Sequence, residues 1–570
     1  MVAAKLSPPQ TRSQDKAFVQ QCSFAGLRAQ LPLRWPRSPS IPDSPKKRYR
    51  SHYLHLGCDD LEDPANWKDK STFDLVLRLV DFSPLRPVLA WLLGWTSARG
   101  KVPFDPVSIF LLVSWRLVNG WSRSTTLKNL ADSRYADYAQ RFGFQNSDFP
   151  SEGGVRHFLT TLGDHSDAHG ETVSVAVDET HTVDTAVQYL NYLLAGAVRL
   201  LREAHLITPQ AWQAALLCPD GQIHDAASRM RCAFVQDGCY QRTSTEKPRP
   251  CPAKEKEKRG CDCDTLACAQ VCRHAPIRDR QARSVYYAGS NRSDSHSPNT
   301  SAHPSGTKAE KGELRYGYRS LACQFAEPVR RFSFVLLDDF LAASAREENP
   351  AAAFLLQLAH FYPDLVVDVA TGDAGMGYYA YLHACYTLGA RRIVDLRADA
   401  SDRKQSQWTI RGYDNQGRPI CPYGYAFTAN GFDAKRHRHK WFCGQACLNG
   451  KAPRAQLHAV SYPPKECPYQ DPAHPHGKIV NVGETFDDGS IRLARDVPVG
   501  TPTWKRFYHR ARNASEDRNA DLEQWSLKRL PVYGRSRGRA LIALADTWIN
   551  LTTLARLVRE ATFAQSMQPG

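Results

Sequence analysis

An alternation of helix and strand patterns over residues 350–396 constrains the fold of this 570-residue chain more than any other feature. A helical pattern over residues 350–361 precedes an apolar run over residues 365–370, and a second helical pattern over residues 378–388 precedes a second strand pattern over residues 391–396. Strands that alternate with helices in this way usually pair in parallel. The pattern therefore predicts an α/β domain.

Two aspartates follow apolar strand patterns, and a glutamate lies on a polar helix. Asp178 closes the run over residues 173–177, Asp373 follows the run over residues 365–370, and Glu516 lies just after the start of a helical pattern. Three carboxylates on rigid elements could hold two divalent cations, which assist phosphodiester cleavage. Each residue also has an ordinary interpretation, since aspartates form turns and helix N-caps and acidic residues favour helix starts.

The charge of the chain favours a polyanionic partner. The sequence has 74 basic and 58 acidic residues, a net charge of +16, and its hydrophobic content of 42% excludes a disordered protein. No run of about 18 apolar residues predicts a transmembrane helix, and residues 1–30 have no apolar signal core. We therefore expect a cytoplasmic protein that binds nucleic acid and not membrane, with cysteines that are thiols or metal ligands.

The sequence divides into three regions. Residues 1–60 are rich in Pro, Ser, Arg and Lys and predict a basic, flexible arm. Residues 61–168 show helical periodicity and predict an all-α region. Residues 169–570 predict the α/β domain, with insertions at about 185–312, which is Cys-rich, and at about 400–505, which also contains cysteines.

Several short motifs follow one another over residues 73–557. They are Gly100 to Pro106, Trp121-Ser122-Arg123-Ser124, Phe149-Pro150-Ser151, Asp178-Glu179-Thr180, Tyr316-Gly317-Tyr318-Arg319, Gly372-Asp373-Ala374-Gly375, Arg512 to Glu516, and Arg535 to Gly538 with Asn550-Leu551. In this order the motifs resemble those of bacterial insertion-sequence transposases of the DDE class, which have a ribonuclease-H-like catalytic domain.

The resemblance implies an α/β ribonuclease-H-like catalytic domain with insertions, preceded by an all-α DNA-binding region. It implies that Asp178, Asp373 and Glu516 are the catalytic residues and the ligands of two Mg²⁺ or Mn²⁺ ions. The substrates would be transposon inverted repeats and target DNA, both double-stranded and held by a homodimer. The ions would activate water to nick the transposon end, and then the freed 3′ hydroxyl to attack target DNA.

Two departures from the family pattern leave alternatives open. The family commonly has a lysine or arginine where this chain has Glu523, and the long insertion between Asp178 and Tyr316 leaves Asp184 and Asp339 as competing first aspartates. Two other functions also remain open. One is a catalytically inactive DNA-binding protein derived from a transposase, and the other is a ribonuclease-H-like nuclease without strand transfer.

Cysteine spacing indicates possible structural zinc. Four soft ligands, the number that a closed tetrahedral site needs, are Cys421, Cys443, Cys447 and Cys467. An earlier group offers six candidates for four places: Cys251, Cys261, Cys263, Cys268, Cys272 and His274. Reduced thiols in loops are the alternative for both groups.

Basic residues predict where DNA phosphates bind. Arg436, Arg438 and Lys440 lie beside two aromatic residues in the densest basic cluster, and Arg512 and Lys528 lie near the predicted glutamate helix. An exposed, charged β-hairpin is the alternative interpretation of the first cluster.

Overall fold

The computed structural model describes residues 12–38, 40–46, 48–178, 180–228, 279, 281–287, 313–327, 330–394, 412–413, 419–421, 425–433, 438–443, 479–483 and 502–566. The earlier cysteine group, Arg436, Cys447 and Cys467 lie outside these residues.

The N-terminal part of the chain is mainly helical. Its helices are α1 (Arg12–Cys22), α2 (Phe24–Leu27), α3 (Thr72–Leu79), α4 (Leu85–Leu92), α5 (Pro106–Val118), α6 (Arg123–Ala131), α7 (Ala136–Arg141) and α8 (Glu152–His165). Two short strands, β1 (Leu33–Arg34) and β2 (Val80–Asp81), pair in parallel. Side-chain caps begin four of the longer helices, because each cap oxygen accepts a free N–H of the first turn: Ser71, Asp105, Ser122 and Ser151.

The prediction of a flexible arm over residues 1–60 is wrong for the residues of this segment that the structure describes. Trp35 and Tyr53 are each 2% exposed within the main core. The N–H of Phe24 donates to the Thr562 hydroxyl at 2.9 Å, and Leu33 pairs with Val80. A few large apolar side chains anchor a segment whose overall composition is basic and rich in proline.

The rest of the chain contains a six-stranded mixed sheet with helices around it. The elements are β3 (Thr172–Ala176), β4 (Thr182–Ala186), α9 (Asn191–Glu203), α10 (Pro209–Trp212), β5 (Ala215–Asp225), β6 (Arg283–Tyr287), β7 (Glu313–Ala326), β8 (Ser333–Ala342), α11 (Glu348–Phe361), β9 (Val367–Gly372), α12 (Tyr379–Thr387), β10 (Arg391–Val394), β11 (Gly412–Tyr413), β12 (Pro419–Ile420), β13 (Thr428–Asp433), β14 (Arg438–Phe442), β15 (Ile479–Gly483), α13 (Pro502–Gln524) and α14 (Arg535–Ser566).

The sheet runs in the order β10-β9-β5-β7, with β8 and β6 both paired to β7. Strands β5, β9 and β10 are parallel, whereas β7 is antiparallel to β5, β6 and β8. Strands β3 and β4 form a separate hairpin, β11 pairs with β12, and β13, β14 and β15 form a small antiparallel sheet. The described protein is therefore mixed α/β, with parallel and antiparallel pairing in one sheet.

Strand β5 lies inside the segment that was predicted to be an insertion, and it occupies the centre of the sheet. That prediction is therefore wrong for residues 215–225. Pro219 and Gly221 resemble a turn in sequence. The last residue of β5 that pairs with β9 is Leu217, so the missing N–H of Pro219 costs no hydrogen bond on that side.

Helix α13 covers β5, β9 and β10 with one apolar face. The face consists of Trp504, Phe507, Ala511 and Ala514, which recur at helical spacing and pack against Leu216, Cys218, Val369 and Ile393.

Two asparagines cover the outer edge of β8. Asn550 exchanges hydrogen bonds of 2.7 Å with the backbone of Val335, and Asn191 bonds the backbone of Asp338. Covered in this way, β8 presents little free backbone to another strand.

Helix α14 is the central helix of the molecule. The ring of Trp548 stacks on that of Phe73 with centroids 4.6 Å apart, which joins α14 to the N-terminal helices. Among the described helices, α14 alone is long and apolar enough to cross a membrane. The protein itself buries 83% of its most apolar 18-residue window, as expected of a core helix.

Candidate active site

Two aspartates lie side by side at the centre of the sheet. In the parallel pairing of β5 with β9, Leu217 is opposite Ala370. Asp220 lies three residues further along β5, and Asp373 directly follows the end of β9. One cleft is lined by Cys218, Pro219, Asp220, Thr371, Gly372, Asp373, Tyr508 and Arg512.

Helix α13 adds an arginine and a glutamate to this pair. Arg512 Nη1 lies 3.7 Å from Asp220 Oδ2, and Arg512 Nε lies 3.3 Å from Glu516 Oε1. The Asp220 side chain is only 13% exposed, whereas that of Glu516 is 62% exposed. Because the apolar face of α13 packs on the sheet, residues on its flank are directed to the carboxylate pair. Arg512 thus bridges a strand carboxylate and the helix carboxylate.

The carboxylate pair is electrostatically strained. Burial raises the pKa of Asp373, and the neighbouring Asp220 raises it further, while the Gly375 N–H and Arg512 oppose the shift. Burial alone would lower the pKa of Arg512, but Asp220, Tyr508 and Glu516 together raise it. The adjacent like charge makes ionised Asp373 more costly, so the pair favours a cation beside it.

A further carboxyl group adjoins the pair. Glu347, directly before α11, forms an ion pair with Arg319 of β7. A Cβ atom at Gly221 would lie 2.9 Å from the Glu347 carboxyl carbon, so a larger residue there would displace the Glu347 side chain. Burial raises the pKa of Glu347 to about 7; Arg319 opposes the shift, whereas Asp373 and Asp220 add to it.

Alternate residues of β5 set the position of α13. Beyond Asp220, the Gln222 amide donates to the Asn519 carbonyl at 3.4 Å, and His224 Nδ1 donates to the Leu527 carbonyl at 2.8 Å. Side chains two residues apart share one face of a strand. The strand therefore holds the helix and the segment after it at several points, which fixes where Glu516 lies relative to Asp220.

A buried ion pair completes this attachment. Arg518 donates to both carboxylate oxygens of Asp546 on α14 at 2.8 Å, and neither side chain is more than 1% exposed. Arg518 also donates to the Ser320 hydroxyl at 3.2 Å.

The hydrogen bonds of His224 fix its tautomer. Since the Leu527 carbonyl can only accept, Nδ1 of His224 carries the proton and Nε2 accepts from Ser320. Burial lowers the pKa of His224 to about 4, so this imidazole is neutral at pH 7.

The structure does not bring the predicted residue Asp178 to the cleft, where Asp220 and not Asp178 lies beside Asp373. Asp178 lies in the β3–β4 turn with a side chain 53% exposed. Its Oδ1 accepts the N–H of Thr180 at 2.8 Å and that of His181 at 2.9 Å, the pattern of an Asx turn. The Thr180 N–H and the His181 side chain lower its pKa to about 2.

The two competing aspartates also lie elsewhere. Asp184, on β4, accepts the Ser174 hydroxyl at 2.7 Å across the hairpin. Asp339, on β8, is buried, and burial raises its pKa, which Arg539 opposes. Neither residue lines the cleft between β5 and β9.

No group of three or more His, Cys, Asp or Glu side chains in the described ranges is arranged as it would be around a metal ion. In the cleft, the guanidinium of Arg512 lies between Asp220 and Glu516. The two aspartates lie beside each other in the cleft, while the Glu516 carboxylate contacts the Arg512 guanidinium.

The predicted zinc ligands are partly described. Cys421 is buried, and its sulfur accepts the Tyr425 N–H at 3.4 Å. Cys443 directly follows β14 and is partly buried. Because Cys447 and Cys467 lie outside the described residues, the zinc site stays a prediction.

The predicted DNA contacts fall on two different parts of the structure. Arg438 and Lys440 lie on β14 of the small sheet. Lys528 follows α13, is exposed and contacts Glu523 at 3.1 Å. Arg512 lies in the carboxylate cleft itself.

Sequence reasoning missed three residues of this site. Asp220 had a usable signal, because the apolar run over residues 215–218 precedes it as another run precedes Asp373. Arg319 and Glu347 had no local signal, since only the pairing of β5 with β7 and the start of α11 bring them together.

Comparison with known protein families and with curated protein sequences finds no match for this chain.

Proposed function

We propose that this protein is a DDE-class transposase, which binds double-stranded transposon ends and catalyses metal-dependent strand cleavage and strand transfer. The proposed catalytic residues are Asp220, Asp373 and Glu516. One observation carries the proposal: Asp220 on β5 and Asp373, directly after the adjacent parallel strand β9, line one cleft beside a helix that carries the glutamate. A sheet in which antiparallel β8, β7 and β5 are extended by parallel β9 and β10 supports a ribonuclease-H-like catalytic domain.

The residues of the cleft fit hard divalent cations. Their donors are carboxylate oxygens, which Mg²⁺ and Mn²⁺ prefer. Burial and then repulsion from Asp220 raise the pKa of Asp373, and a cation would offset both. Asp220 and Asp373 would hold the metal, with Glu516 as the third ligand. Two such ions, when bound, activate an oxygen nucleophile and stabilise the leaving oxygen.

The protein's own side chains hold the reacting groups in place. Asp220 is held in β5 by pairing with β7, Asp373 directly follows β9, and β5 fixes α13 and the segment after it through Gln222 and His224. Rigid placement matters because small displacements of reacting atoms greatly slow a reaction. Lys528 lies near the end of β5, and Arg512 lies in the cleft. Both can contact DNA phosphates from these positions.

The proposal extends to partners and location. The net charge of +16 favours DNA, with Arg438 and Lys440 as further phosphate contacts and the N-terminal helices as the region that binds transposon ends. We propose a homodimer on DNA, since transposition joins two ends, and a cytoplasmic location.

The test is incubation of the protein with labelled duplexes taken from the DNA that flanks its coding region, with Mg²⁺. We expect cut ends and joined products from the wild-type protein, and binding without cleavage from Asp373→Asn. Cleavage without joined products would instead support a nuclease. Binding without cleavage by the wild-type protein would support an inactive DNA-binding protein, and wild-type cleavage by Asp373→Asn would refute the assigned site.

A further inference from the structure

Arg512 occupies the centre of the carboxylate cleft. Its guanidinium approaches Asp220 at 3.7 Å on one side and Glu516 at 3.3 Å on the other. The side chain is 43% exposed, so it is not locked in the protein interior. It therefore has a path to solvent while its charge neutralises part of the cluster.

The same carboxylates cannot hold Arg512 and a divalent ion equally well. Without a cation, Asp220, Asp373 and Glu516 repel one another. With a divalent ion among them, a guanidinium about 4 Å away would be repelled by charge of the same sign. Occupation by one cation therefore disfavours occupation by the other.

We infer that Arg512 is a resident cation that keeps the metal-free site assembled and that divalent metal displaces, which releases the guanidinium to bind a DNA phosphate. This inference rests on the proposed metal site. It makes phosphate binding by Arg512 depend on metal, so that the enzyme holds the DNA backbone at the cleft only when it is loaded.

The chain offers a matched control for the loss of one positive charge. Arg506 lies on the same helix and is exposed, and its guanidinium carbon is 5.2 Å from the centre of the Phe507 ring. It does not line the cleft. Arg506→Gln changes the net charge of the protein as Arg512→Gln does, but leaves the carboxylates with their arginine.

The first experiment titrates Mn²⁺ into DNA-free protein and measures free Mn²⁺ by electron paramagnetic resonance. We expect Arg512→Gln to bind Mn²⁺ about tenfold more tightly than the wild-type protein, because a competing charge is gone. Arg506→Gln and Arg512→Lys should bind within about twofold of wild type, as both keep a cation at the cleft. Equal affinity in the Arg512→Gln and Arg506→Gln proteins, or weaker binding by Arg512→Gln, would overturn the inference.

The second experiment measures the salt dependence of binding to a 40-base-pair random-sequence duplex (about four helical turns), with and without non-catalytic Ca²⁺. Each phosphate contact adds about one to the slope of log K against log salt. We expect Ca²⁺ to steepen the slope by about one more in wild type than in Arg512→Gln. An identical Ca²⁺ effect in both proteins would refute release to phosphate.

Failure of the inference is distinguishable from failure of the proposed function. If Asp373→Asn binds Mn²⁺ as tightly as wild type, the cleft is not the metal site and both ideas fall. If Asp373→Asn loses Mn²⁺ while Arg512→Gln behaves as wild type, the metal site stands and only the exchange is refuted.

Discussion

Two aspartates that follow similar apolar runs, Asp178 in the β3–β4 hairpin and Asp220 in the central sheet, have entirely different surroundings. The carboxylate of Asp178 is occupied by its own turn, through Thr180 and His181. The carboxylate of Asp220 lies near Asp373, which follows another strand, and 3.7 Å from Arg512 on a helix distant in sequence. Local hydrogen bonds satisfy the first aspartate, whereas the second lies between another carboxylate and the guanidinium of Arg512.

Acid–base behaviour separates Asp178 from Asp373, the neighbour of Asp220 in the cleft. Hydrogen bonds of the turn lower the pKa of Asp178 to about 2, because they favour its charged form. Burial and a like charge raise the pKa of Asp373. A carboxylate that is costly to ionise in the folded protein is a better candidate for a functional site than one whose charge is already satisfied.

The largest expected difference between Asp220 and Asp178 is the effect of their substitution on the rate of strand cleavage. We expect Asp220→Asn to slow strand cleavage by about a thousandfold or more, a loss of roughly 4 kcal/mol of transition-state stabilisation. Asp178→Asn should stay within about twofold of wild type, since exposed substitutions away from the site have small effects. Single-turnover cleavage of labelled ends measures both, and a binding assay controls for folding. A slow Asp178→Asn enzyme with an active Asp220→Asn enzyme would reverse the assignment.

Sequence patterns predicted the elements whose signals are local. Strand β9 and helices α11 and α12 are confirmed to within two residues at each end, because their apolar periodicity is regular. Strand β5 was missed because Pro219 and Gly221 resemble a turn. The position of Asp220 beside Asp373 depends on the pairing of β5 with β9 and β7, which residues far apart in sequence determine together.

Removing one partner of a buried charge pair should produce the next largest effect. Asp546→Asn leaves Arg518 buried without its counter-charge, at a cost of about 3–5 kcal/mol in unfolding free energy. His181→Asn removes the exposed partner of Asp178 and should leave stability unchanged within error. Urea unfolding followed by circular dichroism measures both.

A double variant keeps this prediction testable if Asp546→Asn fails to fold. Arg518→Met with Asp546→Leu removes both charges, so it should recover most of the lost stability. A double variant as unstable as the single one would show that hydrogen bonds to Ser320, and not the unpaired charge, dominate the cost.

The smallest expected effects are changes in unfolding free energy with pH. They have opposite signs for Glu347 beside the cleft and for Asp178 in the β3–β4 hairpin. The pKa of Glu347 is raised from 4.5 to about 7, so its contribution is fully present below pH 4.5 and is lost as pH rises through 7. Wild-type stability should therefore fall by up to about 3 kcal/mol across this window relative to Glu347→Gln. The Asp178 contribution is present above pH 3.8 and lost as pH falls through 2, so Asp178→Asn should be less stable than wild type above pH 3.8 and equal to it in strong acid. Urea unfolding from about pH 2 to about pH 8 measures both. Parallel curves for wild type and Glu347→Gln would mean that Arg319 keeps Glu347 ionised, and the cleft would then be more negative at neutral pH than we infer.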